Sequence, residues 1–313
     1  MRRSFLATSL ACVAAAAWLA RLPDAAVWAL TAVAVVAGGL PHGALDTRLA
    51  RRTLGLDGAA PLVRFLALYV ALAAAMALFF VTTPVAALVA FLTYAAVHFG
   101  RDWDARLSAA AVLGAVVVTA PAVRFEAEVA AIFTAMTGDG TAVAAALAAL
   151  APFAAGGALT VILLRRDAAA GVELGAYGML ALAVRPEIAF AVYFVLLHSP
   201  RHTREVCEAL RLSTTDAARA AAPYAAAAAL AGCAAAASWA GAGLAWDDAV
   251  ARALFVGLAC LTVPHMTLEM VTERPALASW ARRVLVPSVE RGEDGLGRRG
   301  TDEVMEARPA TRR

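Results

Sequence analysis

Residues 62–82 read LVRFLALYVALAAAMALFFVT, an uninterrupted apolar run carrying one charge, Arg64. As a helix such a run rises about 30 Å, the thickness of a bilayer's hydrocarbon core. Its Ala, Leu and Val are continuous rather than alternating, which favours a helix over a barrel strand, and a lone spanning segment must be helical to satisfy its own backbone. Runs of the same kind recur at residues 5–20, 25–44, 84–99, 107–121, 141–164, 170–184, 186–200, 219–240 and 249–271. Several fall short of a full perpendicular span. The pattern therefore predicts an all-α, polytopic integral membrane helical bundle of about 8–10 transmembrane helices.

Composition agrees. With 62% hydrophobic and 16% charged residues, a chain of 313 residues has more apolar surface than a soluble interior of its size can hide. All 27 basic residues are arginine. The absence of lysine excludes a retinal Schiff base, a lysine nucleophile and a phosphate-loop lysine. The arginines cluster in short connections, not on a nucleic-acid-binding face, so no nucleic-acid partner is expected. Cys12, Cys207, Cys233 and Cys260 lie in or beside apolar stretches without C-x-x-C spacing and are read as free thiols.

The first apolar run continues well past Cys12, which favours a retained first helix over a cleaved signal peptide. Residues 1–281 form the expected transmembrane catalytic domain, and the charged, Gly-containing stretch 282–313 a disordered cytoplasmic tail. From Arg124 to about Met136, acids on one face oppose Val129, Ile132 and Phe133 on the other, the pattern of an interfacial helix. Arg2 and Arg3, then Arg48, Arg51 and Arg52, Arg101 and Arg106, Arg165 and Arg166, and Arg201 and Arg204 fall on alternate connections. The positive-inside rule then predicts a multi-pass protein of the cell membrane with both termini cytoplasmic.

Five histidines, His42, His98, His198, His202 and His265, stand at or near the ends of apolar segments. In the ten-segment reading all five lie toward the cytoplasmic side. An imidazole beside hydrocarbon is costly unless something uses it, and imidazole is the commonest transition-metal ligand. His198 and His202, four apart, share a helical face if Pro200 sits in a first turn rather than at a break. His42, His98 and His265 each have an acid four residues on, respectively Asp46, Asp102 and Glu269. A carboxylate one turn away is the kind of oxygen that accepts a ligating histidine's other N–H. An all-histidine set suits iron, copper, zinc or nickel, and the residues leave that choice open. A transporter or metal-ion channel lined by histidines and acids is the alternative from another class. Five histidines are too few for a membrane di-iron desaturase.

The blocks GLPHGALD (residues 39–46), VHFG (97–100), YFVLLHSPRH (193–202) and PHMTLE (264–269) resemble the signature blocks of the Brp/Blh family, integral membrane β-carotene 15,15'-dioxygenases of bacteria and archaea. The resemblance runs from about residue 30 to about 272. It implies an Fe(2+) centre whose catalytic ligands are His42, His98, His198 and His202. There O2 would be added across the central double bond of β-carotene to give two retinals. His265, Asp46, Asp102 and Glu269 would then have supporting roles, behind the ligands or in positioning substrate. Phe91, Tyr94, Phe99, Tyr193 and Phe194, on the histidine-bearing helices, are candidates for lining a polyene tunnel. The lipid bilayer would deliver the substrate, and a downstream retinal-binding rhodopsin is a partner such a product would suit.

Overall fold

The computed structural model describes residues 2–41, 43–104 and 106–286. Among these residues there are helices and no strand. The ten predicted apolar segments each meet a helix. The first is broken into α1 (Arg2–Ala14) and the single turn α2 (Ala16–Leu19). The second is α3 (Asp24–Ala34), which widens into a π-helical turn over Val35–Gly39. After a short amphipathic helix, α4 (Asp46–Leu54), come α5 (Ala59–Thr82), α6 (Pro84–Gly100) and α7 (Leu107–Arg124). Then follow α8 (Glu126–Thr137), α9 (Thr141–Arg165) and α10 (Ala168–Ala183). The next unit is α11 (Pro186–Tyr193), a second π-helical turn over Phe194–His198, and α12 (Ser199–Leu210). Helices α13 (Thr214–Gly241), α14 (Trp246–Glu273) and α15 (Pro275–Leu285) complete the order.

Among the described residues, six helical stretches are long and apolar enough to cross a bilayer, and α6 and α10 are shorter apolar helices. Their breaks follow from local chemistry. Pro84, Pro186, Pro200 and Pro275 sit in first turns, where the missing N–H costs nothing. The Ser213 hydroxyl accepts from the Asp216 N–H and the Asp167 carboxylate from the Ala170 N–H, capping α13 and α10. Large apolar side chains such as Leu164, Val81 and Phe153 point outward, the surface a lipid solvent favours.

Helices α6 and α7 meet backbone to backbone. A Cβ added at Gly100 would run into the Ala110 carbonyl, and one at Gly114 into the Ala96 carbonyl, so both close approaches require glycine. Where no hydrophobic effect drives helices together, small residues bring about the dispersion contacts that do. Helix α1 packs on α10 with Phe5 fully buried.

Ion pairs show which connections share an end of the bundle. Arg201 reaches Glu173 at 3.0 Å, Arg2 reaches it at 3.5 Å, Arg165 pairs with Asp104, and Arg101 with Glu273. At the opposite end Arg185, between α10 and α11, pairs with Asp24 at 2.6 Å. The break at Pro186 thus separates two helices, which keeps His198 at the end that carries the other described histidines.

Three expectations change. Helix α8 does not lie alone on a surface. Its apolar side, with Val129, Ile132, Phe133 and Met136, is buried against neighbouring helices including α9 and α14. The arginine-bearing segments 46–54 and 199–210 are helices, whose strong amphipathicity holds them along the bundle's end. The expected domain boundary at residue 281 falls inside α15, whose Ala281 and Leu285 are buried beside Leu54 and Phe65. The remainder of the expected tail, 287–313, lies outside the described residues.

Candidate metal centre

Helix α6 ends within two residues of His98, where Gly100 closes onto α7. That contact fixes the depth at which the His98 ring enters the bundle. His198 closes the second π turn and His202 follows in α12, with Pro200 in that helix's first turn. The π turn holding His198 rests on the one holding Gly38 and Gly39. The Ser199 hydroxyl donates to the Gly38 carbonyl at 2.6 Å, and a Cβ on Gly39 would strike the Phe194 ring. Two π turns in contact beside a cluster of functional side chains match where such irregularities concentrate. Gly38 and Gly39 are therefore a packing requirement of block 193–202, whose Val195 and Phe194 they meet.

Four histidines from three separate parts of the chain converge. The His98 and His198 ring centroids are 4.6 Å apart, His98 and His265 5.5 Å, and His202 and His265 4.9 Å, each pair nearly perpendicular. His42 lies outside the described residues. Glu269 stands among three of the rings, with a carboxylate oxygen 3.2 Å from His202 Nδ1, 3.6 Å from His265 Nε2 and 3.8 Å from His98 Nδ1. Donor atoms of His98, His265 and Glu269 all lie within 4.8 Å of one another, close enough to hold one metal ion.

Asp102 and Asp46 engage histidines that one-turn spacing did not pair with them, while Glu269 does stand beside His265, as that spacing suggested. Asp102 lies beyond the end of α6, so it is not one helical turn from His98. Both of its oxygens are 3.2 Å from His198 Nδ1. Both oxygens of Asp46 are 2.9 Å from His265 Nδ1. Each carboxylate also accepts a phenol, Tyr193 donating to Asp102 at 2.6 Å and Tyr69 to Asp46 at 2.9 Å. The Asp102 carbonyl accepts from Arg201, whose guanidinium also holds Glu173, and Glu173 in turn accepts from the Trp103 indole. Burial works to lower the Arg201 pKa, yet Asp102 and Glu173 outweigh it and hold the guanidinium above its ordinary value. Tyr69 escaped sequence reading because only the fold brings α5 to α4. A lone tyrosine inside an apolar run was the available signal.

Beside the imidazoles opens an apolar cavity of about 380 Å³. His98 and His265 are on its wall. From them two stripes descend, Phe99, Ala95, Leu92, Phe91 and Leu88 on α6 and Thr262, Leu261, Leu258 and Phe255 on α14. Each runs ten residues from the histidine, about 15 Å of helix. Val129, Ile132, Phe133 and Met136 of α8 line the far part. Leu66 and Val70 of α5 and Tyr224 and Ala228 of α13 line it too, with Val70 64% and Tyr224 38% exposed. Of the proposed tunnel aromatics, Phe91, Phe99 and Phe194 line this space. Tyr193 is fully buried with its hydroxyl on Asp102, and Tyr94 contacts Thr267.

Residues 33–272, which include every histidine of the chain, match the family model described as beta-carotene 15,15'-dioxygenase. The chain belongs to that family. A beta-carotene 15,15'-dioxygenase from uncultured marine bacterium 66A03 is 29% identical over 254 residues, 77% of this chain and 92% of that protein. No solved structure matches. The chain is therefore an oxidoreductase of carotenoid cleavage, built as a multi-pass helical bundle. The family match takes the place of the transporter or channel alternative. It spans α4 to α13 whole and ends at the foot of α14, so centre and cavity both lie inside it.

Proposed function

We propose that this dioxygenase uses Fe(2+) to cleave the central 15,15' double bond of β-carotene. One C=C is broken, both atoms of O2 form the two new C=O groups, and the products are two all-trans-retinals. The observation that carries this reading is the convergence of His98, His198 and His202, from α6 and the α11–α12 unit, at the head of an apolar cavity. His42 from the first block would complete the four metal ligands. The donor set fits iron, since neutral imidazoles bind first-row divalent ions and do not suit calcium or magnesium. Bound Fe(2+) would supply the electron chemistry by which O2 and a closed-shell polyene react.

The chain's own residues do the rest. Asp102 accepts from the Nδ1 of His198 and so fixes its tautomer with Nε2 available to a metal. The α6 and α14 stripes give a polyene two apolar walls. Their length below the histidines, on the order of 15 Å, is about the distance from a C40 carotene's central bond to the far side of one end ring. Water-excluding walls of this kind also keep the cleavage site dry. The bilayer supplies the substrate between helices, and retinal leaves for a binding partner such as a rhodopsin.

Expression in a bacterium that accumulates β-carotene is expected to convert it to retinal, read by extraction and chromatography. The purified protein is expected to hold about one iron per chain. Undiminished cleavage after exhaustive chelation, or under strict anaerobiosis, overturns the reading. The placement is the cell membrane with both termini cytoplasmic, because arginines mark the histidine end of the bundle. A reporter active only outside the cytoplasm should stay silent when fused in the connection 101–106, and signal there reverses the orientation.

A further inference from the structure

We propose that His265 is itself a ligand of the metal, aimed at it by Asp46 and Tyr69. This rests on the metal centre proposed above. The four-ligand set leaves His265 outside, yet three features of the described residues place it within.

The first is spacing. Imidazoles whose nitrogens lie about 2.1 Å from a shared ion, at right-angled to tetrahedral separation, have centroids roughly 4.6–5.3 Å apart. His265 is 4.9 Å from His202, within that range, and 5.5 Å from His98, just beyond it, beside the 4.6 Å between His98 and His198. Close-packed aromatic rings also fall in that range, so spacing alone does not decide.

Orientation is the second. Asp46 engages His265 Nδ1 with both oxygens at 2.9 Å, which turns Nε2 toward Glu269 at 3.6 Å. A ring nitrogen of His265 lies within 4.8 Å of donor atoms of both His98 and Glu269.

The third is repetition. His198 is held by the same device from different helices, Nδ1 on both oxygens of Asp102 and the Tyr193 phenol on that carboxylate. His265 has Asp46 and the Tyr69 phenol. Burying a carboxylate and a phenol behind a ring is costly. It is the arrangement that orients a ligating histidine and raises its basicity. A histidine that only fills space between helices requires neither. Tyr69 and Tyr193 are accordingly positioning residues, each acting through its aspartate.

The test uses the full-length protein purified in detergent, loaded with Fe(2+) without oxygen and desalted. At equal free iron His265→Gly is expected to retain less than about one-tenth of wild-type occupancy, as His198→Gly does, and added imidazole should restore it. In the Co(2+)-loaded protein the visible absorption should change with His265→Gly and return with imidazole. Asp46→Asn should weaken iron binding roughly 10- to 100-fold, the usual cost of losing such a partner, and Tyr69→Phe in the same direction by less. Should His265→Gly not accumulate, His265→Gln, which keeps volume and a polar end, is read in the same assays. Wild-type occupancy and an unchanged Co(2+) spectrum in the His265 variant, while His198→Gly loses iron, overturn the proposal and leave the centre standing. Iron retained by the His98, His198 and His265 variants alike overturns the centre itself.

Discussion

Alanine at His98, His198 or His202 is expected to reduce retinal formation below about one-hundredth of wild type, with bound iron falling in parallel. Losing a mere outer partner of a metal typically costs 10- to 100-fold, so losing an imidazole costs at least as much. All three rings stand in one cluster, His98 4.6 Å from His198 and His202 sharing Glu269 with His98. His42→Ala is expected to behave alike on the strength of its block in the sequence. Retinal is measured in β-carotene-accumulating cells, iron in the purified protein, and chain abundance by immunoblot of the membrane. Any of these variants that reaches normal abundance and still converts β-carotene at full rate removes that residue from the site.

The membrane architecture was legible because it depends on length and composition rather than on partners. Residues 62–82 became α5 over Ala59–Thr82, 141–164 became α9 over Thr141–Arg165, and 249–271 became α14 over Trp246–Glu273. Each helix satisfies its own backbone, so its neighbours barely move its ends. The site was legible as a set of residue types, and less so as a set of pairs. The reading along one helix joined His98 to Asp102 and His265 to Glu269. In the fold Asp102 belongs to His198 instead, whereas Glu269 does reach His265, together with His98 and His202, and Asp46 takes the other nitrogen of His265. Which acid meets which imidazole is decided between helices, by crossings that no periodicity along one segment records. The π turns at Val35–Gly39 and Phe194–His198 were hidden for the same reason. Both replace ordinary helix where two backbones come together. Helix α8 was read correctly as two-faced, but amphipathicity does not say whether lipid or a neighbouring helix covers the apolar face.

The packing of those two turns yields the second large effect. Gly39→Ala is expected to lower retinal formation by at least about 10-fold although no ligand is touched. The added methyl would meet the Phe194 ring. That ring cannot move without disturbing its neighbours: it stacks on His198 at 5.4 Å between centroids and on Phe190 at 5.1 Å. Overpacking of this kind costs typically about 1–3 kcal/mol, which a bundle of this size withstands, so the chain should still reach the membrane. The displaced ring, however, shifts His198 and its π turn, and a displacement of about 1 Å at a reacting centre can cost on the order of 100-fold. Gly175→Ala supplies the contrast, since an added Cβ there meets nothing within 4 Å, and activity near wild type is expected. Equal activity of the two variants at equal abundance would show that the Gly39–Phe194 contact does not hold His198 in place. Recovery of Gly39→Ala by Phe194→Leu, which makes room for the methyl, would locate the effect in that contact.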